Sequence, residues 1–388
     1  VCSSDLFIWV FFGGIDVVSH GLFAALSVLV VACPCAVGLA TPVALAAGLN
    51  KAARNHILIR DTSALEQMRN VDMVVFDKTG TLTEGHPTVI GWLWAQGQEE
   101  HYKDVLLAAE STSDHPLAEA IVTALEGEEQ VIPAHLDGFE NITGKGVRVA
   151  YQGAEYWVGS HKLLKDYQAN LSDILADMLT QYESDGNSIV YFGRENDLLA
   201  VIAIKDQLRV TSMEAIRELR IQDIEICMLT GDGERTASSV AGSLGIMRFV
   251  ADAMPDDKED FIHKLQLQGK TVAMVGDGVN DAQALSCADV SIAMGKGTDT
   301  LMDTAMITLR TSDLLLLPKV FRLSRQTVSL MYRNLFWAFI YNTVGIFVAA
   351  GVLYPVYDIL LSPALAGAAM ALSCVSVALS SLRLSSRF

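Results

Sequence analysis

The feature that most constrains this sequence is a set of three long stretches without a charged side chain. They cover residues 21–49, 334–357 and 359–382. Each exceeds the roughly 20 residues that a helix needs to cross the hydrocarbon of a bilayer. Core helices of soluble proteins rarely run so long without a charge, and hydrophobic residues make up 51% of this chain. The sequence therefore predicts three membrane-spanning helices.

A fourth apolar stretch, residues 6–15, is too short to cross a bilayer as a helix. The chain begins with Val1, and the stretch has neither a basic region before it nor a small-residue cleavage site after it. Both are expected of a signal peptide. We therefore expect this stretch to be the end of an earlier span, with the true N-terminal part missing.

Basic residues next to the three stretches predict the orientation of the chain. They are Lys51, Arg54 and Arg60 after the first, Lys319, Arg322, Arg325 and Arg333 before the second, and Arg383 and Arg387 after the third. Positive flanks mark the cytoplasmic side. We expect residues 51–318 to lie in the cytoplasm and the protein to lie in the plasma (inner) membrane. Most of the net charge of -17 falls in that segment, which argues against a nucleic-acid partner.

The cytoplasmic segment has the pattern of an α/β domain. Short apolar runs predict strands at residues 73–76, 224–229, 271–275 and 290–293. Residues 211–220 and 235–244 have helical patterns, so the strands are expected to form a parallel sheet with crossover helices. Residues 86–203 interrupt this pattern after the first strand. We interpret them as a separate inserted domain.

Acidic residues follow three of the predicted strands. They are Asp77, Asp232 in Thr-Gly-Asp, and Asp277 in Gly-Asp-Gly. The carboxyl ends of parallel strands meet at one edge of the sheet, where such folds build their sites. Three acids at one edge favour a metal-phosphate centre. The chain has no Walker A pattern and no G-x-G-x-x-G after a strand, so neither of those nucleotide folds is predicted.

The string Asp-Lys-Thr-Gly-Thr-Leu-Thr at residues 77–83 is the strongest chemical signal. A carboxylate at a strand end, followed by hydroxyl groups that can donate to phosphate oxygens, suits a nucleophile that forms an acyl phosphate. The string resembles the phosphorylation motif of P-type ATPases. The match continues in order through residues 230–232, Lys258 and residues 276–281.

The resemblance implies a role for each matched residue. Asp77 attacks the γ-phosphate of ATP, and Mg²⁺ is held by Asp77, the Thr79 carbonyl, Asp277 and Asp281. The phosphoryl oxygens are steadied by Thr230, Lys258 and Asn280, and Thr79 and Asp232 contact the nucleotide. A lysine and Mg²⁺ are what converging carboxylates and a phosphoryl group require for charge balance.

The inserted domain resembles the nucleotide-binding domain of the heavy-metal subgroup. Glu110 precedes His115-Pro116 by five residues, and Gly144 and Gly146 follow. The resemblance implies that Glu110 and His115 contact adenine and that the glycines let the backbone approach it. Ser160 stands where the family has Asn, and its role is left open.

Cys33-Pro34-Cys35 lies within the first uncharged stretch. Proline removes a helical hydrogen bond, and two thiolates beside the opening are soft ligands that suit Cu(I) or Ag(I). Cys-Pro-Cys alone leaves open a kinked helix with packing cysteines. The following Gly-Leu-Ala-Thr-Pro at residues 38–42 continues the resemblance to the subgroup and favours a metal site.

Residues of the later stretches bear on the choice of metal. Tyr341, Asn342, Met370 and Ser373 resemble the monovalent-copper class. The zinc class would carry an acidic residue in the last span, and residues 359–382 have none. Cys374 stands where the family has a second Ser, which makes the predicted site softer.

The whole resemblance, from about residue 7 onward, is to the copper-transporting class of heavy-metal (CPx-type) P-type ATPases. It implies a multidomain membrane protein with transmembrane helices, a haloacid dehalogenase-like α/β phosphorylation domain and an inserted α+β nucleotide-binding domain. The expected boundaries are residues 1–50 (membrane), 51–85 and 204–318 (phosphorylation domain), 86–203 (nucleotide-binding domain) and 319–388 (membrane).

The implied activity is ATP-driven export of Cu(I), or of Ag(I), through an aspartyl phosphate, with Mg²⁺ as cofactor and a metallochaperone as possible donor. The family's actuator domain does not occur in these residues, so we expect no transport by this chain alone. Three alternatives stay open: a membrane-tethered phosphatase of the haloacid dehalogenase type, a pump for Zn or Cd, and a non-enzymatic copper-binding protein. Such phosphatases usually place a second Asp where this chain has Thr79, which favours the pump.

Overall fold

In the computed structural model the chain forms two compact units, one of residues Val1–Arg69 with Lys319–Phe388 and one of residues Asn70–Pro318. The structure describes residues 9, 11, 18–95, 99–113, 115–128, 131–169, 173–277, 281–295, 305–357 and 359–386. The predicted short apolar stretch at residues 6–15 lies almost wholly outside them.

The helices are numbered in chain order. They are α1 Val18–Val31, α2 Cys35–Arg54, α3 Ser63–Met68, α4 Glu99–Glu110, α5 Pro116–Glu126, α6 His161–Asp166, α7 Asp173–Ser184, α8 Ser212–Ile221, α9 Glu234–Leu244, α10 Pro255–Leu267, α11 Ala282–Cys287, α12 Leu316–Ala349, α13 Tyr354–Tyr357 and α14 Pro363–Ser386.

The strands are numbered in the same way. They are β1 Ile57–Ile59, β2 Met73–Asp77, β3 Thr88–Trp94, β4 Gly138–Ile142, β5 Gly146–Tyr151, β6 Ala154–Gly159, β7 Ser188–Arg194, β8 Asp197–Lys205, β9 Glu225–Leu229, β10 Arg248–Val250, β11 Val272–Gly276, β12 Val290–Met294 and β13 Ile307–Leu309.

The first unit contains the membrane helices. Within the described residues, two segments are long and apolar enough to cross a bilayer, Val18–Arg54 and Pro363–Leu384. The first of them breaks between α1 and α2, next to Pro34, because a proline cannot donate the helical hydrogen bond. In the second, α14 begins after Ser362, whose carbonyl accepts from the backbone of Ala366, so residues 359–362 of the predicted span lie before the helix.

The predicted span at residues 334–357 differs from the structure. Its residues belong to α12, which begins earlier, at Leu316, and ends at Ala349. Gly351 has a φ of +90°, a left-handed conformation that stops the helix. The prediction of one helix up to residue 357 was wrong, and α12 is not among the segments that satisfy the length and hydropathy criteria in the described part of the chain.

Small residues let the membrane helices approach one another closely. A methyl group on Gly48 of α2 would lie 2.6 Å from Oγ1 of Thr327 on α12, and one on Gly345 would lie 2.7 Å from Val31 of α1. Asn334 Nδ2 donates to Ser381 Oγ at 2.9 Å and joins α12 to α14 in a buried contact. Close backbones and buried polar bonds are typical of helices that pack within a bilayer.

The second unit contains a parallel sheet in the strand order β13-β12-β11-β2-β9-β10. Every residue of β2, β11 and β12 is buried, as expected for strands covered on both faces. The predicted strands correspond to β2, β9, β11 and β12, and the predicted helices to α8 and α9. The fold class that the sequence predicted is confirmed.

An antiparallel six-stranded sheet in the order β3-β8-β7-β6-β5-β4 lies between β2 and β9 in the chain. Helices α4 and α5 contribute to its apolar core, which includes Leu106, Ile121 and Phe192. The sheet begins at Thr88 and ends at Lys205, so it occupies the region predicted as an insertion.

Candidate functional site

The candidate site is formed where three neighbouring strands end. Asp77 is the last residue of β2, Asp277 follows β11, and Thr230 and Asp232 follow β9. Strands β11 and β9 flank β2 on its two sides, with Val275 beside Phe76 and Leu229 beside Asp77. The register of the parallel sheet therefore brings the predicted acids to one edge.

Lys258, in the first turn of α10, lies at the centre of this edge. Its Nζ donates to Oδ1 of Asp77 at 2.6 Å and to Oδ1 of Asp281 at 2.7 Å. The three side chains are less than a tenth exposed. The carboxylates of Asp77, Asp277 and Asp281 all lie within 4.8 Å of one another. Lys258 therefore pairs with two of the three carboxylates in a largely buried site.

The pKa values of the carboxyl groups reflect their burial and their closeness to one another. Burial, and then the charge of Asp77, raise the pKa of Asp277 and of Asp281 to about 7. Burial alone would lower the pKa of Lys258, but the carboxylates of Asp77 and Asp281 outweigh it and raise that pKa. Because each carboxylate disfavours ionisation of the next, a further cation at this edge would be stabilised.

The loop Lys78–Leu82 after β2 closes over the acids. Gly80 has a φ of +69°, and a methyl group there would lie 1.4 Å from Oδ2 of Asp277. Arg209 holds the loop in place, because its guanidinium donates to the carbonyls of Gly80 and Thr81. Within the described residues, the buried Oγ1 of Thr81 has no hydrogen-bond partner. A hydroxyl without a partner beside the acids can donate to an oxyanion.

A second ion pair joins this loop to β9. Lys78 pairs with Asp232, and its Nζ also donates to Oγ of Ser188 at 3.0 Å. Asp232 also accepts from Ser188 at 2.9 Å and from Thr230 Oγ1 at 3.1 Å. Burial raises the pKa of Asp232, but the pair with Lys78 outweighs burial, so the net shift is downward. Asp232 is thus held ionised and is satisfied by protein groups.

Sequence reasoning missed several residues of this arrangement. They are Lys78, Ser188, Asp206 and Arg209, of which Asp206 accepts from Thr83 Oγ1 and from the Gly85 backbone. Lys78 was visible as the only charged neighbour of Asp77 within the motif. Arg209 and Asp206 lie more than a hundred residues from their partners, and no spacing signal marks them.

Glu110 and His115 flank the turn between α4 and α5. Glu110 is buried, and burial raises its pKa to about 7. His115 precedes α5, and its Nδ1 accepts from the backbone of Leu117 at 3.2 Å. Although the side chain is exposed, surrounding protein atoms lower the pKa of His115, against the opposing charges of Asp232 and Asp77.

The predicted glycines allow close backbone approach. Gly144 has a φ of +68°, and a methyl group there would meet Cε of Met254 at 2.6 Å. At Gly146, with a φ of +143°, a methyl group would lie 2.1 Å from the carbonyl oxygen of Val158. Ser160 lies beside them, and its buried Oγ has no partner in the part of the chain that the structure describes. The predicted Asn280 lies outside the described residues.

The predicted metal ligands of the membrane unit come from three helices. Cys33 and Cys35 lie at the break between α1 and α2, where their sulfur atoms face each other and are exposed. Asn342 of α12 and Ser373 of α14 are buried, and Asn342 Oδ1 and Ser373 Oγ have no partner among the described residues.

The other predicted ligands of this unit differ in their surroundings. Met370 packs half-buried against the apolar cluster that contains Val28 and Ala366. Cys374 packs against the cluster that contains Ala36 and Ala338. The ring of Tyr341 is 45% exposed and stacks on Trp337, so the structure does not bring it among the buried groups.

Comparisons with known protein families and sequences bear on this arrangement. Residues 71–289 match the family model of the haloacid dehalogenase-like hydrolases. The chain is 43% identical over 384 residues to a copper-exporting P-type ATPase of Legionella pneumophila, covering 99% of this chain and 52% of that protein. It is 44% identical over 382 residues to a silver-exporting P-type ATPase of Salmonella typhimurium, covering 98% of this chain and 46% of that one. The chain thus spans about half the length of these curated relatives.

Solved structures similar to this chain also come from metal-transporting or CPx-type ATPases. A zinc-transporting PIB-type ATPase in the E2.Pi state superposes with a TM-score of 0.67 at 31% identity, covering 99% of this chain and 62% of that one. The catalytic domain of a CPx-ATPase superposes with a TM-score of 0.58 at 28% identity, covering 70% of this chain and 97% of that one. The predicted resemblance to this class of membrane ATPase is confirmed.

Proposed function

The chain belongs to the haloacid dehalogenase-like hydrolases and, within them, to the heavy-metal P-type ATPases, and on that premise we propose that it carries the ATP-hydrolysing and ion-binding parts of a pump for soft monovalent metal ions. The observation that carries the proposal is the contact of Lys258 with Asp77 beside Asp277 and Asp281. The pump is proposed to move Cu(I), or Ag(I), out of the cytoplasm through an aspartyl phosphate.

Asp77 is the proposed nucleophile. Its carboxylate attacks the γ-phosphorus of ATP, a bond forms between Oδ and phosphorus, and ADP leaves with the electrons of the broken phosphoanhydride bond. Lys258, which contacts Asp77, is proposed to neutralise charge on the phosphoryl oxygens, and the unpartnered hydroxyl of Thr81 is proposed to donate a hydrogen bond to one of them. Thr230 and Asn280 are proposed to assist them.

The acids fit the requirements of a Mg²⁺ site. Three carboxylates whose oxygens lie within 4.8 Å of one another provide the hard oxygen ligands that Mg²⁺ prefers. Asp77, Asp277, Asp281 and the Thr79 carbonyl are the proposed ligands. When bound, the ion would neutralise the phosphoryl oxygens and the carboxylates at once. Gly80 keeps the backbone close to Asp277 without filling the space between them.

Glu110 and His115 are proposed to bind the adenine end of ATP, with Gly144 and Gly146 providing backbone clearance. The placement of both residues at the turn between α4 and α5 supports this proposal. Asp232 is proposed to act through Lys78 and Thr230, because its carboxylate pairs with the first and accepts a hydrogen bond from the second. Thr79 stands where a second acidic residue would activate water, so no local base hydrolyses the acyl phosphate rapidly.

The membrane unit is proposed to hold the transported ion. Cys33 and Cys35 offer two thiolates at a helix break, and Asn342 and Ser373 offer buried oxygens that no donor in the described residues satisfies. A buried polar atom without a partner costs about 1–3 kcal/mol, which an ion ligand can offset. Met370 and Cys374 are proposed as softer neighbours, and Tyr341 stays a prediction. The sulfur donors favour Cu(I) or Ag(I) over Zn²⁺.

The chemistry proposed for the second unit is tested by acid-quench labelling with [γ-³²P]ATP and Mg²⁺. We expect an acid-stable phosphoenzyme that hydroxylamine cleaves, that Asp77→Asn abolishes and that Asp72→Asn retains. Asp72 lies at the opposite end of β2, so its variant is a matched control. Label on Asp77→Asn would refute the assignment of the nucleophile. Rapid release of phosphate without a phosphoenzyme would favour the phosphatase alternative.

The ion is tested in the membrane unit by X-ray absorption of Cu(I)-loaded chain in detergent. Sulfur neighbours around copper are expected, and Cys33→Ser/Cys35→Ser should remove them and weaken binding. Equal Cu(I) affinity of the double variant would place the ion elsewhere. Tighter binding of Zn²⁺ than of Cu(I) would refute the monovalent assignment and favour the divalent class. Export, plasma-membrane location and metallochaperone delivery stay predictions.

A further inference from the structure

A second cluster of metal-ligating side chains lies outside the phosphorylation site. Glu259 and His263 lie one turn apart on α10, and Cys287 is the last residue of α11. Sγ of Cys287 lies 3.4 Å from Oε1 of Glu259, and Nε2 of His263 lies 3.6 Å from the same oxygen. The ligand atoms of all three residues lie within 4.8 Å of one another.

We propose that Glu259, His263 and Cys287 form a binding site for a Zn²⁺-type divalent ion. Ligand atoms at about 2.0–2.3 Å from a tetrahedral Zn²⁺ lie about 3.3–3.6 Å from one another. The distances from Oε1 of Glu259 to the sulfur and to the imidazole nitrogen fall in this range, so the side chains need little movement to bind the ion. On binding, the ion replaces the thiol proton of Cys287, which passes to solvent.

The donor set distinguishes this ion from the others proposed for the protein. One thiolate, one imidazole and one carboxylate suit a borderline-soft divalent ion, whereas Mg²⁺ prefers oxygen ligands alone. A carboxylate adds little for Cu(I), which favours sulfur. His263 and Glu259 are partly exposed, so an ion can enter from solvent, and three protein ligands leave the fourth position to water.

A neighbouring side chain orients the ligands. Nε2 of Gln266 donates to the carbonyl of Cys287 at 2.8 Å, and its Oε1 lies 3.2 Å from Nδ1 of His263. In the tautomer in which Nδ1 donates to this Oε1, Nε2 presents its lone pair towards Glu259. Either a proton or a metal ion between Nε2 and Oε1 would then satisfy both atoms, and the experiment below distinguishes the two. A ligand histidine whose other nitrogen is fixed in this way is usual in metal sites.

The site has a structural consequence for the phosphorylation centre. Lys258 directly precedes Glu259 on α10, and α11, which Cys287 ends, begins after Asp281. An ion bound by Glu259, His263 and Cys287 would join the two helices that bring Lys258 and Asp281 together. This consequence rests on the proposed function of Lys258, but the metal site itself does not.

The test uses the full 388-residue chain in detergent with four substitutions, Cys2→Ser, Cys33→Ser, Cys35→Ser and Cys374→Ser. The remaining thiols are then Cys287 and Cys227, which is buried on β9. Co²⁺ is the probe, because only a thiolate ligand gives the near-ultraviolet sulfur-to-cobalt charge-transfer band. Carboxylates at the phosphorylation centre give no such band.

We expect the band to saturate at one equivalent of Co²⁺ and to disappear when Zn²⁺ is added. Cys287→Ala should abolish it, and Glu259→Gln and His263→Ala should each weaken Co²⁺ binding roughly tenfold or more. His135→Ala is the control for an exposed histidine elsewhere and should change nothing. Circular dichroism checks that each variant is folded.

Three outcomes would overturn the proposal. They are the absence of the band in the starting chain, its persistence in folded Cys287→Ala, and undiminished Co²⁺ affinity of both Glu259→Gln and His263→Ala. Glu259→Gln and His263→Ala change partly exposed side chains and leave the core intact. Their Co²⁺ affinities therefore test the proposal even if Cys287→Ala is unstable. A proton shared between Glu259 and His263, without a metal, would give the first of these outcomes.

Discussion

Asp277 leaves no room for a side chain at position 80, because a methyl group on Gly80 would lie 1.4 Å from Oδ2 of Asp277. The two residues come from different strand ends, one from the loop after β2 and the other from the end of β11. Gly80 also has a φ of +69°, which residues with a side chain rarely adopt. Glycine at this position therefore determines both the loop conformation and the position of a proposed Mg²⁺ ligand.

Gly80→Ala is expected to destabilise the second unit by about 2 kcal/mol or more, because the left-handed backbone conformation and the clash with Asp277 both disfavour a side chain at this position. Mg²⁺ affinity should fall roughly tenfold or more, because Asp277 is displaced. Calorimetry and denaturant unfolding measure the two effects.

Gly242→Ala is the matched control. Gly242 lies on α9, and a methyl group there meets nothing within 4 Å. The control should leave Mg²⁺ affinity unchanged and stabilise the helix by up to about 1 kcal/mol. Wild-type Mg²⁺ binding by Gly80→Ala would contradict the role assigned to Asp277.

Lys258→Met removes the cation shared by Asp77 and Asp281. The buried carboxylates then lack a partner, so the metal-free protein should lose about 3–5 kcal/mol of stability at pH 8. The rate of phosphoenzyme formation should fall roughly 10²–10³-fold, measured by rapid quench. Lys264→Met changes an exposed lysine of the same helix and should match wild type. Similar rates in the two variants would remove Lys258 from the mechanism.

Glu110→Gln should change the pH dependence of stability. Burial raises the pKa of Glu110 to about 7, so the folded state disfavours the ionised form. The resulting destabilisation of the folded state is fully present above pH 7. It disappears as pH falls through 7 towards about 4.3, the ordinary pKa of a glutamate. At pH 8 the free energy of unfolding of the variant should therefore exceed that of wild type by up to about 3 kcal/mol. Near pH 4.5 the two free energies should be almost equal.

Urea unfolding followed by tryptophan fluorescence at the two pH values measures this difference. Glu126→Gln, at an exposed position on α5, is the control and should show no such pH dependence. A constant difference between Glu110→Gln and wild type across this range would mean that Glu110 is ionised without penalty.

Ser373→Ala should separate folding from ion binding in the membrane unit. The buried Oγ of Ser373 has no partner among the described residues, so its removal should leave stability unchanged or raise it by about 1 kcal/mol. Cu(I) affinity should fall if this oxygen serves the ion, as measured by competition with a Cu(I) chelator. Ser380→Ala, elsewhere on α14, is the control. Loss of stability without loss of Cu(I) affinity would assign Ser373 to packing.

The sequence alone determined the features that depend on neighbouring residues. Strands β2, β9, β11 and β12 were predictable because each is a short apolar run with an acid or a turn at its end. Asp77 could be proposed as the nucleophile from the sequence because the signal lies in the residues that directly follow it. The helix break at Pro34 follows from the missing amide hydrogen of one residue.

Tertiary structure decided what depends on residues far apart in the chain. Lys258 and Asp77 are separated by 181 positions, and the double contact of Lys258 with Asp77 and Asp281 follows only from the packing of α10 against the sheet. Arg209 joined the site because folding brings it to the Gly80 carbonyl, 129 positions away. Such contacts leave no periodic pattern in the sequence, because partners so far apart in the chain have no fixed spacing.

The end of α12 and the cluster of Glu259, His263 and Cys287 show the same division. Residues 350–357 are as uncharged as residues 334–349 of the helix before them, and composition could not show that the chain turns at Gly351. Glu259 and His263 have helical spacing, but Cys287 joins them only because α11 lies beside α10. Local chemistry was encoded in the order of the residues, and the convergence of distant ligands was decided by the fold.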